Sequence, residues 1–369
     1  MSTSPELIQS SPELHNPIPE LPALAGWKEI PIVETDKSRE PLVPLGMFSD
    51  HATILTSSTY ADEHNNSPYR SGLEGSEIAL FAREGVAEKL DTAAALLPRG
   101  KYLMVMDGYR SLQVQGSLFE QYSQNLIEQH PDWTDEEIST ETQKYVSIPS
   151  TDPTKPSPHN TGASIDTVII EVNDAVQAEI EAIDEQLSSL DEADWQTDYL
   201  LEMKKNELLR RNGTMLNFGT RFDYGGPEAG LRYLEEKAAS QQLTTDEQTA
   251  LENRRLLFTV MTSAGFEPYA DEWWHYNDPA SQMGAKIAGR EFAEYGAASL
   301  SEDNQAFADM RETHHRNATA IARGEHWIPP QGLEPHYALA RQAFVANNPR
   351  NIFAMTGSVE KIEPPKDSL

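Results

Sequence analysis

Apolar positions in residues 77–97 (EIALFAREGVAEKLDTAAALL) recur at helical spacing and stop at Pro98-Arg99-Gly100, which predicts a helix with a Gly/Pro terminus. Residues 102–106 (YLMVM) form a short apolar run of β character that delivers the turn Asp107-Gly108-Tyr109-Arg110-Ser111. Helical spacing returns over residues 112–130 and is closed by Pro131. The β-branched run 165–172 (IDTVIIEV) predicts a central strand with Asp166 near its start. Val176, Ile180, Ile183, Leu187 and Leu190 are then spaced four, three, four and three, with Asn173 or Asp174 as cap. A second helical pattern runs from about residue 195 to 211 and ends at Asn212-Gly213, so the pair predicts an αα-hairpin over about 174–211. An amphipathic helix is expected over 245–265, with Gly265 as its stop. Further helices are expected over 285–295, 304–323 and 337–347, before a polar tail. Residues 1–45, rich in Pro, Ser and Glu, read as an irregular arm.

Composition narrows the function classes. The chain has 369 residues, with 29 Lys+Arg against 59 Asp+Glu and a formal charge of -30. Such a surface repels nucleic acid and anionic membrane, so neither is expected as a partner. With no cysteine, thiolate catalysis and Cys-ligated zinc are excluded. The first residues lack a basic and apolar leader, and no apolar run has the length of a membrane span, so a cytoplasmic protein is the expectation.

Two short segments carry the candidate chemistry. Ser157-Pro158-His159-Asn160-Thr161-Gly162-Ala163-Ser164-Ile165-Asp166 offers an imidazole and a carboxylate, and Glu272-Trp273-Trp274-His275 offers a second imidazole and a glutamate. Two His and one Asp leave a zinc ion net positive, with a free position for water, and a neighbouring Glu can move that water's proton. Gly162 permits a tight bend that lets His159 and Asp166 meet. Glu272 and His275 reach the same side only on a turn or helix; on a regular strand they diverge.

The first segment resembles the SxHxxGxAxD signature of D-alanyl-D-alanine dipeptidases, the VanX type of zinc peptidase, and the second matches its ExWH partner. Asp107-Gly108-Tyr109-Arg110 resembles the DGYR turn of that family, and Gly219-Thr220-Arg221-Phe222-Asp223 its GxxFD segment. Asn253–Leu257, Gly265-Phe266-Glu267 and Tyr60-Ala61 agree in order. The similarity covers roughly residues 50–280, interrupted by the hairpin, and Ser164 stands where the family usually has Ala. The resemblance implies one Zn2+ per chain on His159, Asp166 and His275. It implies Glu272 as general base and acid, Arg110 as oxyanion stabiliser, and Asp223, Ser157 and Tyr60 as the cradle of the substrate's ammonium.

Together these readings predict an α+β protein, with a small mixed or antiparallel sheet flanked by helices. The expected division is an arm (1–45), a catalytic domain (46–285, with the hairpin inserted) and a C-terminal helical extension (286–369). The expected reaction is hydrolysis of D-alanyl-D-alanine or a related D,D-dipeptide, a small-molecule partner. Rivals are a D,D- or L,D-carboxypeptidase on cell-wall peptides and a non-catalytic zinc-binding protein of the same fold. The hairpin is expected to be a structural excursion, with a lid or a homodimer arm as the sharper alternatives.

Overall fold

A computed structural model of the chain describes residues 16–61, 73–76, 78–143, 146–301, 304–322 and 327–345; the start of the predicted arm and the polar tail lie outside them. In chain order the elements that build the site are β1 (Leu42–Pro44), β2 (Leu55–Thr56), β3 (Phe81–Arg83), α1 (Glu84–Ala95), β4 (Lys101–Asp107), α2 (Leu112–Gln129), α3 (Asp135–Thr142) and β5 (Ser164–Glu171). After β5 come α4 (Asp174–Ser189), α5 (Trp195–Asn212), β6 (Thr214–Met215), α6 (Tyr233–Ser240), α7 (Thr245–Ser263), β7 (Glu267–Pro268) and β8 (His275–Asn277). The last described elements are α8 (Gln282–Ile287), α9 (Gln305–Ala322) and α10 (Glu334–Val345).

A six-stranded sheet has the order β2-β4-β5-β8-β7, with β6 also on β5. Only the β2–β4 pair is parallel, so the sheet is mixed and the fold is α+β. Its centre is β5, buried at every position but the last, which is why its sequence is a continuous β-branched run rather than an alternating one. Val86 and Leu90 of α1, Leu257 and Val260 of α7, and Leu103, Val105 and Val168 of the strands share one core cluster. Each such side chain contributes roughly 1.5–3 kcal/mol of burial free energy.

Two expectations change. Residues 77–97 are not one helix, because 81–83 are taken by β3, which pairs with β1 in the register Leu42↔Arg83 and Pro44↔Phe81. A buried strand partner outweighs a local helical period. The helix expected over 285–295 is α8 alone, which stops at Gly289 (φ +68); the chain then runs on to bridge Ala293 to Ile32. The arm expected to be irregular over 1–45 instead carries two 3-10 turns and ends in strand β1, and it is held down: Ile18 is buried and its N–H donates to Glu235 at 2.8 Å.

Helices fill both halves of the predicted hairpin. Ile180 and Leu209 pack with Leu55, Ile170 and Val172 of the sheet. The other face meets the C-terminal helices: Ile183, Tyr199, Leu200 and Met203 share a core with Ile321, Leu333, Leu339 and Ala340. No described residue of α4 or α5 lines the cavity that holds His159, Asp166 and His275, so nothing here places the hairpin as a lid. Among the described residues, no helix is long and apolar enough to cross a membrane.

Candidate active site

The site follows from strand register. Asp107 closes β4 and stands opposite Asp166 on β5, which in turn stands opposite His275 on β8. Three neighbouring strands therefore present two carboxylates and an imidazole side by side. His159 arrives from a short 3-10 turn, Pro158–Thr161, which Gly162 ends in the left-handed conformation at φ +69. A Cβ on Gly162 would lie 2.5 Å from Leu42 Cδ2, so the turn and its close packing both need glycine.

His159, Asp166 and His275 are buried and bring their donor atoms within 4.8 Å of one another. His159 Nε2 lies 3.2 Å from His275 Nδ1 and 3.4 Å from Asp166 Oδ1, and His275 Nδ1 lies 3.0 Å from that oxygen. Zinc–ligand bonds of about 2.0–2.1 Å make tetrahedral edges of about 3.3 Å, so the three donors fit one zinc ion. The outer ring nitrogens are engaged as a ligand's should be. His159 Nδ1 faces Gly108 O at 2.9 Å and Asp107 at 3.2 Å, and His275 Nε2 faces Asn277 Oδ1 at 3.1 Å. Ser164, the departure from the family signature, donates to that same Asn277 oxygen at 2.7 Å and so steadies the support of His275. Burial by itself would raise Asp166, but the two imidazoles outweigh it and hold the carboxylate well below its usual range.

Glu272 to His275 is a turn, closed by His275 N–H on Glu272 O at 3.4 Å. It puts the Glu272 carboxylate 3.6 Å from His275 Nδ1, so both side chains face one side. Burial, with Asp166 and Asp223 nearby, pushes Glu272 up to about 8 against the pull of His275 and Arg110.

Arg110 leaves the β4 turn beside the ligands. Its Nε and Nη2 donate to Asp107 Oδ2 at 3.0 and 2.6 Å, and Nη1 donates to Gln115 Oε1 at 3.0 Å. Its guanidinium lies 4.7 Å from the centre of the Tyr60 ring. Burial would lower Arg110, but the adjacent Asp107, with Tyr60 and Asp166, outweighs that and raises it. Ser157 is buried with its hydroxyl lacking a hydrogen-bond partner, and it lines the same cavity as Tyr60, Arg110, Asp223 and Glu272. Asp223 takes a left-handed backbone, φ +57. Its loop is pinned by Arg254, which donates to Phe218 O, Gly230 O and Glu228 O at 2.7, 2.6 and 2.8 Å, and by Trp273 Nε1 on Thr220 Oγ1 at 2.8 Å.

All eight residues singled out in the sequence thus line or adjoin one cavity of about 500 Å³. Sequence reasoning did not single out Gln115, which fixes Arg110 while its own Nε2 donates to Ser147 O at 2.7 Å, nor Asn277 behind His275. Gln115 carries only a weak signal, a polar residue at the buried start of an amphipathic helix; Asn277 lies two residues past His275.

A mixed sheet thus offers His, Asp and His as a group that could hold one metal ion, with a glutamate and a fixed arginine lining the same cavity. A family model described as D-ala-D-ala dipeptidase matches residues 208–294, which contain Asp223, Glu272 and His275. That segment is what the chain shares with the family; residues 1–207 and 295–369 lie outside the match. Among solved structures, it aligns with a mutant of the vancomycin-resistance D,D-pentapeptidase VanY from a VanB-type cassette, in complex with Zn(II), at 14% identity over 66% of this chain and 96% of that one. The TM-score is 0.24, too low for the two folds to be superposed in any useful sense. No curated protein sequence matches.

Proposed function

We propose that the chain is a zinc-dependent dipeptidase that hydrolyses D-alanyl-D-alanine or a related D,D-dipeptide. The D configuration follows the family. The preference for a free N-terminal amine over an acylated one is carried by one observation, the Asp223 carboxylate in the cavity that also holds Glu272 and the three metal donors.

His159, Asp166 and His275 would hold the ion. When bound, zinc polarises the scissile carbonyl and acidifies a water. Glu272 takes the attacking water's proton and hands it to the departing amine, so the C–N bond breaks as a C–O bond forms. Arg110 stays charged, and its guanidinium is held by Asp107 and Gln115 where it can meet the developing oxyanion; a fixed cation there contributes about 3–4 kcal/mol to the transition state. Asp223 pairs with the substrate's ammonium, and the unpartnered Ser157 hydroxyl accepts from it. An acylated amine would leave the buried carboxylate facing a neutral amide, a mismatch that costs about 1–3 kcal/mol or more.

The deciding assay compares D-Ala-D-Ala with acetyl-D-Ala-D-Ala. The free dipeptide is expected to be cleaved faster by at least about tenfold. Equal rates would replace this reading with a carboxypeptidase. Glu272→Gln is expected to lower kcat by about 10²–10⁴-fold while the protein still binds one zinc per chain by elemental analysis. Full activity in that variant would remove Glu272 from the mechanism.

A further inference from the structure

The cavity is larger than a dipeptide of two alanines requires, and its excess lies on one side. From Arg110 it continues along a single face of α2, over Gln115, Leu118, Gln121, Asn125 and Gln129. Gln121, Asn125 and Gln129 are four residues apart, so their amides form one stripe down the helix. Gln143, at the end of α3, also lines the cavity. The stripe from Gln121 to Gln129 spans about 12 Å at the helical rise. An extended peptide covers that length in about four residues. Gln121 Oε1 is buried and has no hydrogen-bond partner, so the wall holds an unanswered acceptor at its inner end.

The direction of this arm follows from what surrounds the ion position. A second cavity of about 680 Å³ adjoins the first through Tyr224, Gly225, Gly226, Tyr269 and Glu272 and contains no α2 residue. Asp223 lines the first cavity only, but its neighbour Tyr224 lines both, which sets Asp223 on the side facing the second cavity, whereas Arg110 bonds to Gln115 at the α2 end. With the ammonium at Asp223, as the proposed function has it, the chain beyond the scissile bond points towards α2. Among the described residues, no Lys, Arg or His of α2 or α3 lines the arm, whose helix wall is carboxamide; the other arginine of the cavity, Arg221, comes from the Asp223 loop. Carboxamides both donate and accept, which suits the backbone of a continuing peptide.

We infer that the arm along α2 is a leaving-group subsite, and that the site also cleaves longer peptides with a free N-terminal residue, whose backbone amides bond to Gln121, Asn125, Gln129 and Gln143. This rests on the ammonium reading of Asp223. The chemistry is unchanged: water adds to the carbonyl of the first residue, and the shortened peptide leaves with the proton.

The test gives zinc-loaded enzyme D-Ala-D-Ala and D-Ala-D-Ala-Gly-Gly and follows release of the N-terminal D-alanine. The tetrapeptide is expected to be cleaved at its first bond. In a Gln121→Ala/Asn125→Ala variant, the ratio of kcat/KM for tetrapeptide to that for dipeptide is expected to fall by about tenfold or more. Neither side chain belongs to a core cluster, Asn125 being exposed and Gln121 half-buried, and an unchanged melting temperature would confirm intact folding. An intact tetrapeptide, or a ratio that does not move, overturns the subsite. Failure of the ammonium reading has a different signature, acetyl-D-Ala-D-Ala turned over as fast as the free dipeptide, and it would overturn the direction assigned to the arm.

Discussion

Arg110 is fixed from three sides: Asp107 holds two of its nitrogens, Gln115 a third, and Tyr60 lies under its plane. Asp107 is shared with His159, so a change there disturbs both the cation and a metal ligand. Gln115 touches only the arginine side of that network and the Ser147 carbonyl, which makes it the clean probe of Arg110 positioning. Gln115→Ala is expected to lower kcat by up to about 10²-fold, because misplacing a catalytic group by about 1 Å has that effect. Zinc content and KM should change little. A variant that loses zinc, or one whose KM rises with kcat intact, would assign Gln115 a different role.

At the scale of elements, the turn from Ser157 to Gly162 and the strand that follows set the spacing of two ligands. Gly162 holds φ +69 against Leu42 of β1, and Arg83 N–H of β3 donates to its carbonyl at 2.9 Å. The small β1–β3 sheet thus supports the metal turn, a link between residues far apart in sequence. Gly162→Ala must accept both a disfavoured backbone and a clash, and is expected to cost about 1–3 kcal/mol. Thermal unfolding of the zinc-free protein measures this. Zinc affinity should fall as well, since His159 shares the turn; unchanged stability and affinity would mean that the turn relaxes freely.

At the scale of the whole molecule, the hairpin and the C-terminal helices form a second core beside the catalytic sheet. Glu202 lies on α5 against it, and burial with Asp198 nearby pushes its carboxyl up to about 7, against the weaker pull of Lys205. The unfolded chain titrates this group near about 4.3. Between those values the folded state binds the extra proton, so stability falls as pH rises through this window and levels off above it. Glu202→Gln is expected to flatten that slope. Parallel denaturant titrations at pH 5 and pH 8 give the comparison, and an identical pH dependence in the two proteins would show that Glu202 is not the group responsible.

Local periodicity and short motifs determined much on their own. The central strand, α2, α7 and both helices of the hairpin are legible because a buried face imposes its period on the residues that form it. The candidate ligands, base and arginine are legible because imidazole, carboxylate and guanidinium at those spacings have few other uses. Pairing over long distances was not legible. It made residues 81–83 a strand instead of a helix, put Asp107, Asp166 and His275 abreast on three strands, and brought Gln115 to Arg110. It also packed the hairpin against the C-terminal helices, because its second apolar face is buried by Phe48 and by partners more than a hundred residues downstream. A sequence shows that such a face exists; only the folded chain decides what covers it.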